Sequence, residues 1–265
     1  MNPRAAYDRR VTLDAYFNRL NIERTAQPTL ETLRRVHIAH HAAFPFHNLT
    51  IQRRGAVTVD VESIAKRFLE PGGGGYCFEQ NTLLGAALRE LGFEVTTLLG
   101  RVGPSERRML SHMLLRIDID GRPWIADVGF GGQSPLEPMP LEEGRVTQQG
   151  FDYSLRRDAD HWKLTMHCGD SSEDMYEFSG AAHTIGDVEM ANYYTSTNPA
   201  SIFRNTLTIQ RVTPEERVIL RPKVVTRYRD GARTDTEIEP AQVRALAREL
   251  FGIELGDAPL LFEQV

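Results

Sequence analysis

The chain is poor in cysteine and in basic charge, and it has no long apolar run. Its two cysteines, Cys77 and Cys168, show no CxxC spacing. That argues against a structural zinc site and leaves at most one bridge, which a reducing compartment disfavours. Lys and Arg number 31 against 36 Asp and Glu, for a net charge of −5. Nucleic-acid binders usually present a basic face, and the short pairs Arg53-Arg54 and Arg107-Arg108 do not make one. No apolar stretch approaches the length of a membrane span. The opening MNPRAAYDRRVTLDAYF lacks the apolar core and small-residue cleavage site of a signal peptide. The expectation is a cytoplasmic protein with no nucleic-acid, membrane or metal partner.

What is present is organised in blocks. TLDAYFNRL, TLETLRRVHIAHHAAF and VESIAKRFL carry apolar residues three and four apart, with Thr29 and Asp60 as N-caps. From Phe93 the pattern turns alternating and β-branched, through EVTTLLG, HMLLRIDI, PWIADV, FDYSLR, HWKLTMH and MYEFS. Near Gly186 a mixed region begins, with TLTIQRV, RVILR and VVTRY before a closing helix entered through Pro240. The expectation is an α+β protein of three domains: residues 1–92 helical, 93–185 β, and 186–265 mixed.

Between the first two blocks, PGGGGYCFEQN sets four glycines directly before Cys77. The residues that follow read as a helix with Gly92 at its end. Cys77 is then at a helix N-terminus, where unpaired N–H groups favour an anion and a thiol ionises more readily. The glycines let a substrate approach. They lack the trailing Gly-Lys-Ser/Thr of a phosphate loop. A tight turn into a buried cysteine is the plainer reading of the same stretch.

SHMLLRIDIDGRPWIADVGFGG, residues 111–132, adds an imidazole and a carboxylate. Asp120-Gly121 between apolar runs signals a two-residue type I′ hairpin. Ile119 then faces Arg122, Leu115 faces Ala126, and Asp127 becomes the diagonal neighbour of His112 within about 7–8 Å. Asp118, six residues along the strand from His112, is roughly 20 Å away. A three-residue turn would slip the register and send Asp127 to the other face. Cys77, His112 and Asp127 together are the parts of an activated-cysteine acyl-transfer site. A papain- or transglutaminase-type hydrolase uses the same three side chains. His37, His40 and His41 share a helix at metal-binding spacing but have no acidic partner, and read as a partly exposed helix face. His167-Cys168 reads as packing at a strand end.

At these residues the sequence resembles the arylamine N-acetyltransferases. The likeness runs from LDAYFNRL and PFHNL through GGYCFEQN and SHMLLRIDIDGRPWIADVGFGGQ to ANYYTSTNPASIF. The resemblance implies a helical N-terminal domain, a β-barrel middle domain, an α/β C-terminal lid and a cysteine-protease-like catalytic core. It puts the catalytic triad on Cys77, His112 and Asp127. It implies ping-pong transfer of an acetyl group from acetyl-CoA, through the cysteine, to an arylamine, hydrazine or N-hydroxyarylamine. It also implies an aromatic acceptor pocket at Phe46, Phe130 and Phe203, and a cofactor path along Gly129 to Gly131 near Ser111, where relatives often carry threonine. Two positions depart from the pattern: Gly73 stands where the family usually has arginine, and His47 where it has glutamate, a pair that supports the site from beneath. A macrolactam-forming amide synthase of the same family and a catalytically silent binding protein are the alternatives.

Overall fold

The computed structural model describes residues 13–22, 27–103, 108–169 and 171–264. The first twelve residues, on which most of the leader reading rests, and Arg107 of the second arginine pair lie outside them.

Helices α1 (Leu13–Leu20), α2 (Leu30–Ala43), α3 (Leu49–Gln52), α4 (Val61–Phe68) and α5 (Cys77–Glu90) come first, with the two-residue strand β1 (Phe46–His47) among them. The caps are local chemistry. Thr29 accepts the N–H of Thr32, and Asp60 that of Ser63 at 3.0 Å, each meeting a donor that the first turn leaves unpaired. At the end of α5, Gly92 takes φ +86°, the left-handed conformation that stops a helix.

The middle of the chain forms one antiparallel, barrel-like sheet in the order β5-β4-β3-β2-β9-β8-β7-β6. Its strands are β2 (Glu94–Val102), β3 (Leu110–Ile119), β4 (Arg122–Ala126), β5 (Met139–Pro140), β6 (Gly144–Gln148), β7 (Phe151–Asp158), β8 (His161–Cys168) and β9 (Ser171–Ser179). Asp120 and Gly121 both have positive φ, at 50° and 75°, as a type I′ turn requires. Ile119 pairs with Arg122 and Leu115 with Ala126, so the two-residue register is the one formed.

Helices α6 (Ile185–Thr197) and α7 (Ile202–Asn205) lead to a second sheet. It comprises β10 (Ile209–Val212), β11 (Arg217–Arg221), β12 (Val224–Arg229) and β13 (Ala232–Glu237), followed by α8 (Val243–Phe251). β1 joins this sheet by pairing with β10, Phe46 opposite Gln210. The fold is therefore α+β, with the early chain stitched into the late sheet.

The nucleophile helix is central. From Cys77 to Leu88 every residue of α5 is buried, and Leu83, Leu84 and Leu88 pack with Met113 and Leu115 of β3. Fully burying a side chain of this size contributes about 1.5–3 kcal/mol. That packing fixes the start of α5 against the hairpin. No helix of the described residues is long and apolar enough to cross a membrane.

Candidate active site

A cleft of about 420 Å³ brings together Cys77, His112, Ser111, Gly129 and the three phenylalanines Phe46, Phe130 and Phe203. A larger apolar groove, about 630 Å³, opens beside Met109 and Met190. It contains neither the thiol nor the imidazole, so the smaller cleft is the candidate site. Gly131 does not line the cleft; it takes φ +79° against Gln210, whose Oε1 lies 2.5 Å from where a Cβ would sit.

His112 is 2% exposed, and its Nε2 is 2.7 Å from Asp127 Oδ2. A carboxylate only accepts, so Nε2 carries the proton. In the neutral ring Nδ1 is left with its lone pair, the form a base needs. Asp127 collects donors on both oxygens: His112 and the Tyr176 hydroxyl (2.8 Å) on Oδ2, Asn81 (3.0 Å) and the Gly129 N–H (2.8 Å) on Oδ1. Burial alone would raise its pKa. The positive charge and hydrogen bond of His112, with those from Asn81 and Gly129, hold it instead at about 2. Asp118 is tied to Arg116 at 2.7 Å and takes no part.

Cys77 opens α5, as the sequence reading expects, but its thiol is not made more acidic. At 2% exposure, burial pushes its pKa up, with the charges of Asp127 and Glu79 adding to the rise. The helix N-terminus does not overcome desolvation here. Sγ lies 3.8 Å from the Ser111 carbonyl oxygen. Gly129 must be glycine, since a Cβ there would come within 2.7 Å of Cys77 Cα.

The aromatic residues form two groups. Phe130 stands edge-on to His112 with ring centres 5.1 Å apart, and Tyr176 lies 4.7 Å from the same imidazole. Phe203 meets Tyr76 at 5.5 Å and Phe46 at 6.1 Å. Its backbone carbonyl accepts from both Asn48 (2.7 Å) and Gln52 (2.8 Å). The late sheet grips the loop after Gly129. Gln210 accepts the Gly132 N–H, and buried Arg217 donates to the carbonyls of Gly132 and Ser134.

The histidines of α2 are not a partly exposed face. His37, His40 and His41 are all buried. His37 Nδ1 donates to the Leu136 carbonyl and its Nε2 accepts the backbone N–H of Asp127 at 3.1 Å. His40 donates to Gln80 Oε1 at 2.7 Å and lies 2.9 Å from the Tyr16 hydroxyl. Gln80 in turn donates to the carbonyls of Phe44, Pro45 and Gly75. The row therefore backs both the Asp127 strand and the cysteine loop. Among the described residues, no group of three or more His, Cys, Asp or Glu could hold a metal ion.

Sequence reasoning missed Tyr176, Asn81 and His37. Asn81 had a signal, standing one helical turn after Cys77; Tyr176 sits in a strand that reads as ordinary β.

This thiol–imidazole–carboxylate cleft between a helix start and a hairpin goes with an N-acetyltransferase: that family's model matches residues 29–260. The Salmonella typhimurium arylamine N-acetyltransferase / N-hydroxyarylamine O-acetyltransferase is 34% identical over 253 residues, covering 92% of this chain and 90% of the relative. The solved arylamine N-acetyltransferase of Salmonella typhimurium superposes with a TM-score of 0.85 at 32% identity, over 93% of this chain and 92% of that one. That of Mycobacterium marinum, in complex with CoA, gives 0.86 at 31% identity, over 92% and 95%. The chain belongs to the arylamine N-acetyltransferase family, and it is an enzyme of that family.

Proposed function

We propose that the protein moves an acetyl group from acetyl-CoA through a thioester on Cys77 to an arylamine, hydrazine or N-hydroxyarylamine. The observation that carries this reading is the His112–Asp127 pair, whose imidazole shares one cleft with the Cys77 thiol. Nδ1 of His112 takes the proton from Cys77 as sulfur attacks the acetyl carbonyl. Asp127 holds the ring by its Nε2–H and offsets the positive charge that forms. Collapse of the tetrahedral adduct breaks the bond to the CoA sulfur, which leaves with the proton returned by His112.

The acceptor nitrogen, or the hydroxyl oxygen of an N-hydroxyarylamine, then attacks the thioester carbonyl, its proton passes to His112, and the Cys77 sulfur leaves and takes that proton back. Phe46, Phe130 and Phe203 give the acceptor ring apolar surfaces, and Ser111 and Gly129 border the path of the donor. Arg221 lines the same cleft and offers a cation to the donor's phosphates.

A second reading, transfer of a longer acyl chain as in an amide synthase, draws on the apolar groove that Tyr194 shares with the cleft. A series of acyl-CoA donors of increasing length separates the two. For the main reading, free CoA should accumulate beyond one equivalent only when an arylamine is present. Steady CoA release without an acceptor would instead identify a hydrolase.

A further inference from the structure

The glycine run before Cys77 is packed on three sides. A Cβ on Gly73 would come within 2.4 Å of the carbonyl oxygens of Arg67 and Phe68. One on Gly74 would meet the Pro45 carbonyl at 2.2 Å, and one on Gly75 would meet the Glu79 carboxylate at 2.4 Å. Real Cβ atoms do not tolerate such contacts. The absence of side chains lets the last turn of α4 press against the start of α5.

That approach delivers a guanidinium. Arg67, in the last turn of α4, bonds Glu79 Oε1 with one terminal nitrogen and donates to Thr50 Oγ1 at 2.7 Å with the other. Glu79 is the third residue of α5, and its side chain is 2% exposed. Its Oε2 accepts the N–H of Tyr76 at 3.0 Å, so it caps the helix that Cys77 begins. A carboxylate in this position closes the helix end, yet its charge opposes ionisation of the neighbouring thiol. Asp127 on the hairpin side opposes it as well, and His112 is its hydrogen-bond partner there.

Beneath the loop no second acid stands with Glu79 at position 47. His47 is buried, its Nε2 3.1 Å from where a Gly74 Cβ would sit, and burial together with Arg67 and Arg53 lowers its pKa to about 3.

We propose that Arg67 is a positioning residue for the nucleophile: it orients Glu79 and offsets its charge, so that the carboxylate caps α5 while opposing the Cys77 thiolate less than it would unpaired. The proposal rests on Cys77 being the nucleophile. It gives Gly73 a role, which is to admit the α4 turn that carries Arg67, and Gly75 the role of leaving room for the Glu79 carboxylate.

The test is the pH dependence of iodoacetamide alkylation at Cys77, followed by peptide mass spectrometry so that Cys168 is scored apart. The groups facing the thiol and its helix end are His112 and Asp127 from the hairpin, Tyr76 and Glu79 from α5, Arg67 from α4 and His47 from β1. Arg67→Met should raise the alkylation midpoint by about one pH unit, and Arg67→Lys should restore most of it. Glu79→Gln should lower the midpoint, because the arginine is then unopposed. The double variant Arg67→Met/Glu79→Gln should return close to wild type.

A purely structural role would slow alkylation in every variant without opposite shifts. Midpoints of Arg67→Met and Glu79→Gln that move together, or not at all, would overturn the proposal. Should Arg67→Met not fold, the downward shift in Glu79→Gln carries the test alone. A wild-type Cys77 that takes up no acetyl group from acetyl-CoA would overturn the nucleophile itself, a result separable from the first because it is read before any variant is made.

Discussion

Asp127 and Glu79 are both buried carboxylates whose charges act on Cys77, one from the hairpin and one from beneath the helix. Burial raises the pKa of each. Asp127 ends at about 2, because His112, Asn81 and the Gly129 amide all donate to it, and His112 brings positive charge. Glu79, with Arg67 and the Tyr76 amide, stays raised. Desolvation has the same sign at both sites and each has a basic partner, so the larger number of donors to Asp127 decides the outcome. One carboxylate is built to remain an anion opposite an imidazole that gains and loses charge. The other is built to be neutralised where it stands.

The sharpest way to break this comparison is to remove each charge in turn. Asp127→Asn should lower the rate of Cys77 acylation by about 10³–10⁴-fold, since an amide cannot support the imidazolium and favours the wrong tautomer. Glu79→Gln should stay within about tenfold, as for a pKa change of one unit. Stopped-flow CoA release from both variants decides it. Comparable losses would mean that the two carboxylates do the same work.

Next in size is a steric prediction. Gly73→Ala should destabilise the protein by about 1–3 kcal/mol or more, the range for overpacking against a site that cannot relax. The obstructing atoms are the backbone carbonyls of Arg67 and Phe68. The departures at Gly73 and His47 from the family pattern need not be read as one broken contact, because the histidine ring packs against Gly74. Restoring arginine at position 73 therefore meets backbone before it meets residue 47. Thermal melts of Gly73→Ala and His47→Glu, singly and together, should give additive losses.

A third prediction concerns acid. Burial lowers His37 to about 4 and His40 and His47 to about 3, and holds His41 well below the ordinary value. In the unfolded chain each titrates near 6.5. Between about pH 6.5 and 4 the unfolded chain therefore binds protons that the folded one excludes, and stability falls as pH falls. The melting temperature should drop through this window, and His41→Gln should flatten the slope. A melting temperature constant from pH 7 to 5 would contradict the burial of these rings.

The smallest effect is expected at Phe203. Phe203→Ala should change the ranking of arylamine acceptors several-fold while leaving Cys77 acylation by acetyl-CoA near wild type. Equal losses in both half-reactions would give the ring a packing role under Tyr76 and Phe46.

What could be read in advance divides along the same line as the two carboxylates. The Asp120-Gly121 turn fixes a register two residues at a time, so a local signal placed Asp127 beside His112 across fifteen residues. The start of α5 was legible for a similar reason, glycines followed by a helical period. Tyr176 reaches Asp127 from a strand far along the chain, and nothing in MYEFS marks the one hydroxyl that donates to a carboxylate. The histidines of α2 sit at helical spacing whether the face is wet or dry; the loop at Leu136 and Pro135 covers His37 and His41, and Gln80 with Tyr16 covers His40. A helix N-terminus and a buried cysteine are both readings of the stretch before Cys77, and the burial found is what raises the thiol's pKa. Arg67 and Glu79 lie twelve residues apart, and their meeting depends on how closely α4 can approach.

Every step of the proposed transfer passes through an acyl group on Cys77, and one measurement addresses that directly. The protein is incubated with acetyl-CoA and no acceptor, and then its mass and peptides are mapped. The prediction is one acetyl group per chain, on Cys77, discharged when an arylamine or hydrazine is added and absent from Cys77→Ser. An acetyl group on Cys168, or a Cys77→Ser protein that still acetylates an arylamine, would contradict it.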